Sequence, residues 1–186
     1  MPNWCTNIVT IEHKNKTAID RVEKAFVKGE LCNEFLPIPE DLHNTSAPNN
    51  ANAEEMKKKY NYRDWYEFQV NEWGTKWDVG LYESGSFERE DRKKIELTFD
   101  SAWSPPVGLY NKLMEEGYNV MAYYYEPGAG YTGLYSSELG NQQYSIPQTA
   151  HEVRRDIPEE LDEMFNISVS MQEEQDELEN LMGGEE

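Results

Sequence analysis

Ile95, Leu97 and Phe99 alternate with Glu96, Thr98 and Asp100. Successive side chains of a strand point to opposite faces, so this run carries one apolar row and one polar row. Such a strand fits an antiparallel sheet with one covered face and excludes an all-helical chain. Thr6–Ile11, β-branched throughout its apolar positions, reads as a second strand. Trp77, Val79 and Leu81 alternate with Asp78, Gly80 and Tyr82 and predict a third, with Glu83–Lys93 as a charged hairpin loop. Val120–Tyr125 is a Tyr-rich strand, and Tyr131–Tyr135 with Gln143–Ile146 predicts a further hairpin.

The covering layer is legible as helical periodicity. Ile19, Val22 and Phe26 share one helical face, opened by the capping pattern Thr17-Ala18-Ile19-Asp20 and stopped by Gly29. Phe35–Asp41, with Pro37 and Pro39, predicts an irregular connector, and His43–Asn52 a polar loop. Ala53–Trp73 predicts helix interrupted near Asn61, with Trp65, Phe68 and Trp73 as apolar contacts and Gly74 as the end. Ser104 as cap and Pro105 at the first helical position predict one more helix, closed by Gly117. With the inserted helix set aside, the first six elements spell β-α-β-β-α-β, the ferredoxin-like split βαβ pattern. The expected fold class is α+β: a ferredoxin-like antiparallel sheet with an inserted helix, an extra C-terminal hairpin and an acidic helical tail.

Charge divides the chain. Its 36 acidic residues outweigh 17 basic ones, a net of −19. Residues 152–186 hold thirteen acidic and two basic side chains, a net of −11 in the last fifth of the sequence. That asymmetry predicts a core over residues 1–147 and an amphipathic tail over 148–186. Asp156 and Pro158 start a helix bearing Leu161, Met164 and Phe165; Ser170-Met171-Gln172-Glu173 predicts a second before Leu178, Leu181 and Met182. A purely solvating tail needs no apolar stripe, so the helices are expected to dock on the core or on another copy, leaving Glu159, Glu160, Glu163, Glu173, Glu174 and Glu177 for a partner.

Several function classes fall away. The charge opposes phosphate backbones and anionic lipid, so direct nucleic-acid binding is disfavoured and no membrane partner is expected, although a local basic groove stays open. No run approaches 18 apolar residues, and the first thirty residues lack a secretory pattern. Cys5 and Cys32 read as small buried side chains of a reducing cytosol, with a bridge between them left open. His13, His43 and His151 are scattered without zinc spacing, so no metal site and no cofactor is expected. Gly128–Gly133 spells GxGxxG but lies between strands, where glycines turn a hairpin rather than cradle a pyrophosphate. Glu67, Glu72 and Asp78 read as solvated carboxylates before they read as acid–base groups. Pro2 gives one enzymatic option, an N-terminal amine acting as base, but Asn3-Trp4 intervenes before the strand. No catalytic residue is assigned.

Five tryptophans and twelve tyrosines are many for so polar a chain. Trp73-Gly74-Thr75-Lys76-Trp77 sets a cation between two indoles, and Trp103 adds a third. Core burial is the commoner fate of such a cluster. The alternative is a ligand pocket of Trp73, Lys76, Trp77 and Trp103, with Lys76 meeting an anionic group.

Three stretches carry a family resemblance: Met1-Pro2-Asn3-Trp4-Cys5-Thr6-Asn7, Asn71-Glu72-Trp73-Gly74-Thr75-Lys76-Trp77-Asp78 and Phe99-Asp100-Ser101-Ala102-Trp103-Ser104-Pro105-Pro106. Together with Phe35-Leu36-Pro37-Ile38-Pro39-Glu40, they resemble the YubB-type ferredoxin-like family of phages, plasmids and other mobile elements. The resemblance covers about residues 1–146 and omits the tail. It implies a mobile-element product in a bacterial cytoplasm with an accessory role towards the host, and brings no catalytic residues. The expected function is therefore non-enzymatic: binding and modulating a basic host protein, a defence factor being one option, with oligomerisation through the tail also open. The alternative is small-molecule or nucleotide binding by the Trp/Lys cluster.

Overall fold

Strand β1 (Trp4–Glu12) pairs antiparallel with both β3 (Lys94–Ala102) and β4 (Asn119–Glu126), and the sheet is built outward from it. The computed structural model describes residues 3–48, 50–82, 84–89 and 91–183, with side chains as far as Leu181. Among these residues the sheet runs β2-β3-β1-β4-β5-β6, adding β2 (Ser86–Glu88), β5 (Tyr131–Ser136) and β6 (Gly140–Ser145). Every neighbouring pair is antiparallel. With its helices, this is an α+β fold.

The register explains the main core. Val9 lies opposite Leu97 and Ala122, and Ile11 opposite Ile95 and Val120, so these apolar rows share one face. That face meets Ile19, Val22 and Phe26 of α1 (Lys16–Lys28) and Leu109 and Leu113 of α6 (Val107–Glu115), all buried in one cluster. Ile95, Leu97 and Phe99 are buried as the alternation predicts, while Glu96, Thr98 and Asp100 are only half-buried.

Four short segments fill the long connection after α1: α2 (Leu31–Phe35), α3 (Glu40–His43), α4 (Ala53–Tyr60) and α5 (Trp65–Phe68). Asn61 ends α4 in the left-handed conformation, at the predicted interruption. A π-helical turn, Gln69–Trp73, continues α5 and stops at Gly74. Where the turn crosses α6, Gly108 is required: a Cβ there would lie 1.8 Å from the Glu72 carbonyl oxygen.

Three expectations need correction. Residues 77–82 form no strand. The Asp78 carboxylate accepts from the amides of Cys32 (2.6 Å), Asn33 (3.0 Å) and Val79 (2.8 Å), while Leu81 N donates to Phe26 O. The segment thus bonds to the end of α1 and the start of α2 instead of to a strand edge; the short pairing strand is β2, inside the predicted loop. Helix α1 is capped by Asn15, whose Oδ1 accepts from Thr17 N, rather than by Thr17. Helix α6 begins only after Pro106. A residue preceding proline is disfavoured in helical conformation, so Ser104 and Pro105 both resist it.

The tail makes a second layer. Helices α7 (Ala150–Asp156), α8 (Glu159–Phe165) and α9 (Ile167–Gly183) follow β6. Val153, Ile157, Leu161 and Ile167 are buried against Tyr123, Tyr125, Leu134 and Tyr144. Those positions alternate with Val120, Ala122 and Tyr135 of the main core, so the tail covers the sheet's other face. Of the two expected surfaces, the core and another copy, the helices lie on the core; their boundaries differ from those expected. Asp156 ends a helix rather than starting one, and that helix is capped by Thr149, whose Oγ1 accepts from Glu152 N and donates to the Glu152 carboxylate. Ser170 sits inside α9, its N donating to Asn166 O; the cap is Asp162, which accepts the N–H and hydroxyl of Ser168 at 2.7 Å each.

Candidate functional site

The stretches that carry the family resemblance are separated by as many as about a hundred residues in sequence and converge at one end of the sheet, where β1 starts and β3 ends. Thr75 Oγ1 donates to Ala102 O (3.0 Å), and Ser104 Oγ to Gly74 O. Gly74, at φ 88°, lies so close to α6 that a Cβ would stand 3.1 Å from Pro105 O. Trp73 Nε1 donates to Leu36 O at 2.8 Å, which ties in the proline-rich connector. Trp4 pairs with Ala102 across β1 and β3, and Trp103 N donates to Asn3 O (2.9 Å).

The four predicted pocket residues separate. Trp73 is buried in the main core, so it belongs to packing and not to a pocket. Lys76, Trp77 and Trp103 come together at the surface: the Lys76 ammonium lies 4.7 Å from the Trp77 ring centroid and 5.0 Å from that of Trp103. Tyr66 adds a third ring at 5.9 Å. Trp77 is 39% and Trp103 40% exposed, so the commoner fate of aromatic clusters, core burial, fails for both. Trp4, 46% exposed and 5.8 Å from Trp77, extends the row of rings; sequence reasoning missed it because it lies before the predicted strand Thr6–Ile11 and far from the Trp/Lys motif in sequence.

Trp103 adopts φ 69°, the left-handed region that a bulky side chain rarely occupies. Its amide bond to Asn3 and the hydroxyl of Tyr131, which donates to Trp103 O at 2.6 Å, hold it there. Backbone strain of this kind costs about 1–3 kcal/mol and persists where the surroundings over-determine it. Here its result is an indole turned outward beside Lys76.

Two clefts flank the row. One, of about 310 Å³, is lined by Trp65, Tyr66, Lys76 and Trp103 with Ala47 and Pro48. The other, of about 400 Å³, is lined by Trp4, Trp77 and Tyr82 with Asp78, Asp100 and Ala102. Burial pushes the Asp78 carboxyl up to about 6, against the lowering effect of its three amide donors. Asp100 accepts from Thr6 Oγ1 at 2.9 Å.

Comparisons with known proteins add little to this geometry. No protein-family model matches the chain, and no curated protein matches it. A crystal structure of the protein api92 from Yersinia pseudotuberculosis, of the family described as DUF1281, aligns with a TM-score of 0.42 and 11% identity. The alignment covers 79% of this chain and 99% of that one. A likeness at that level fixes no function.

The second predicted site is the tail. Glu159, Glu160 and Glu163 on α8, and Glu173, Glu174 and Glu177 on α9, are all exposed. Glu160 is tied to the sheet, its carboxylate accepting the Tyr123 hydroxyl. From Glu173 to Leu181 every residue of α9 is exposed, including Leu178 at 61% and Leu181 at 75%. Leu161 is buried and Phe165 stacks on Tyr125 at 5.5 Å, whereas Met164 is largely outside. The Met182 side chain lies outside the described residues, as does Pro2.

The remaining options carry less. Cys5 and Cys32 are free and buried, and burial raises both thiols, Cys5 to about 12. Gly128 and Gly130 lie in the turn of the β4–β5 hairpin, and Gly133 lies within β5. Among the described residues no three His, Cys, Asp or Glu side chains gather into a metal-ligand set, and no helix is long and apolar enough to cross a membrane. A cleft at the opposite end of the sheet brings Lys14, Lys93 and Lys94 together, but with Glu12 and Asp91 among them it is no basic groove.

Proposed function

We propose that this chain is a non-enzymatic binding protein that captures a basic protein partner through its acidic tail. The observation that carries the reading is the outer half of α9. It keeps Glu173, Glu174, Asp176, Glu177 and Glu179 together with Leu178 and Leu181 in solvent on a helix whose first turns are docked. Acidic side chains steer a basic surface into encounter, and exposed leucines give it something to bury. The family resemblance adds the setting: a phage or plasmid accessory protein acting on a host protein in the bacterial cytoplasm.

The test is capture from a bacterial lysate by the full chain and by a Glu173→Gln, Glu174→Gln, Glu177→Gln variant over a salt titration. The reading expects a basic protein held at low salt, released at high salt and lost by the variant. Capture that ignores both salt and the substitutions overturns it.

A second reading, ligand binding in the Lys76 cleft, is favoured by the exposed rings of Trp77 and Trp103 around the ammonium. A nucleotide retained through purification, and lost on Lys76→Met, would support it.

A further inference from the structure

The cleft between Trp4, Trp77 and Tyr82 differs in character from the one that Lys76 lines. Its walls are three exposed aromatic side chains, with relative exposures of 46%, 39% and 57%, and its polar groups are the carboxylates of Asp78 and Asp100. Lys76 lines the neighbouring cleft and not this one. Asp78 is spoken for by three backbone amides. Asp100 is engaged by the Thr6 hydroxyl through Oδ1, which leaves Oδ2 without a donor among the described residues. Beside the cleft, a smaller hollow lined by Trp4, Tyr82, Ser84 and Asp100 continues the same surface.

Aromatic faces carry negative potential and attract a cation placed over them. A carboxylate at the edge adds a charged acceptor suited to a planar, two-pronged donor. An anion would meet two carboxylates and a chain of net charge −19. The molecule displays the complementary chemistry itself, since the rings of Trp77 and Trp103 already hold the Lys76 ammonium.

We infer that the Trp4/Trp77/Tyr82 cleft binds the guanidinium of an arginine side chain on the partner protein, with Asp100 as its carboxylate acceptor. This deepens the function proposed above by giving the basic partner an anchor residue, and rests on it only for the identity of the arginine's bearer. The site is charge-complementary, and its volume of about 400 Å³ has room for a guanidinium with its alkyl stem.

The experiment titrates N-acetyl-Gly-Arg-Gly-amide into the full-length protein and follows the indole N–H signals of Trp4, Trp77 and Trp103 by NMR. The uncharged citrulline peptide serves as the isosteric control. The expected result is saturable movement of the Trp4 and Trp77 signals, with arginine bound at least roughly fivefold tighter than citrulline, as befits an exposed cation–π contact with a charged acceptor. Asp100→Asn, which keeps an acceptor for Thr6, should weaken binding by about fivefold, and Trp77→Ala should abolish the shift at Trp4. Equal binding of citrulline, indifference to Asp100→Asn, or movement confined to Trp103 would overturn the assignment. Repeating the titration on the Glu173/Glu174/Glu177 variant separates the two claims. Peptide binding that persists in the variant while the full chain captures no basic protein sinks the tail reading and leaves the cleft standing; capture by the full chain without any peptide response does the reverse.

Discussion

The hydroxyl of Tyr110 donates to Oδ1 of Asn7 at 3.0 Å, between α6 and β1, where both side chains are buried. The Asn7 amide in turn donates to Cys5 O (2.7 Å) and Ser101 Oγ (2.8 Å). A buried amide is tolerated only when its capacity is filled. Here the network fixes the end of β1 against β3 directly below the aromatic row. Tyr110→Phe should leave Asn7 Oδ1 without its donor and cost about 1–3 kcal/mol in chemical denaturation. An unchanged midpoint would show the bond to be dispensable.

Trp73 and Trp77 should part company on truncation. Trp73 is buried and hydrogen-bonded, so Trp73→Ala should cost about 3–5 kcal/mol. Trp77 is exposed enough that Trp77→Ala should cost far less, within about 1 kcal/mol. Thermal unfolding of the two variants side by side reads the difference directly, and equal losses would place Trp77 in the core.

That pair also marks how far the sequence could be read. Period-2 alternation placed β3 and its buried face, because one strand's pattern depends only on which side is covered. The β5–β6 hairpin and the helix break at Asn61 were legible for the same local reason. Residues 77–82 alternate just as cleanly and form no strand, because Asp78 finds three amide donors from distant α2 and its own neighbour. No local pattern carries that information. The Lys76 cluster was visible as a motif, yet its exposure was not: Trp103 faces outward through a left-handed backbone held by Asn3 and Tyr131, two contacts made across the sheet. The cleft of Trp4, Tyr82 and Asp100 depends wholly on such long-range placement.

Asp78 should impose a pH dependence. Burial raises its pKa in the folded state to about 6, against about 4 for an ordinary aspartate. The folded state therefore binds the proton more tightly than the unfolded one. The stabilisation from this group is complete below about pH 4 and is lost as pH rises through about 6, by about 3 kcal/mol in all. Asp78→Asn should flatten the stability profile over that window while retaining an acceptor for the amides. A titration midpoint for Asp78 near 4 by carboxyl NMR would show that the three amide donors outweigh burial.

The tail gives the final contrast, because α9 is docked at one end and free at the other. Among the described residues, ending the chain after Gln172 removes only exposed side chains, so melting should change little. Ending it after Gln148 strips Val153, Ile157, Leu161 and Ile167 from the outer sheet face and uncovers Tyr123, Tyr125, Leu134 and Tyr144. Each fully buried side chain of this size contributes about 1.5–3 kcal/mol, so the second truncation should lose several kcal/mol and expose apolar surface to a hydrophobic dye. The main core on the opposite face, with Val9, Leu97 and Leu113 buried, should still fold. Partner capture should already fail with the shorter cut, since the charge removed includes Glu173, Glu174 and Glu177. If the chain ending at Gln172 captures its partner as firmly as the full chain across a salt titration, the free end of α9 is not the binding element. If the chain ending at Gln148 melts like the full chain, the tail helices add nothing to the sheet that they cover.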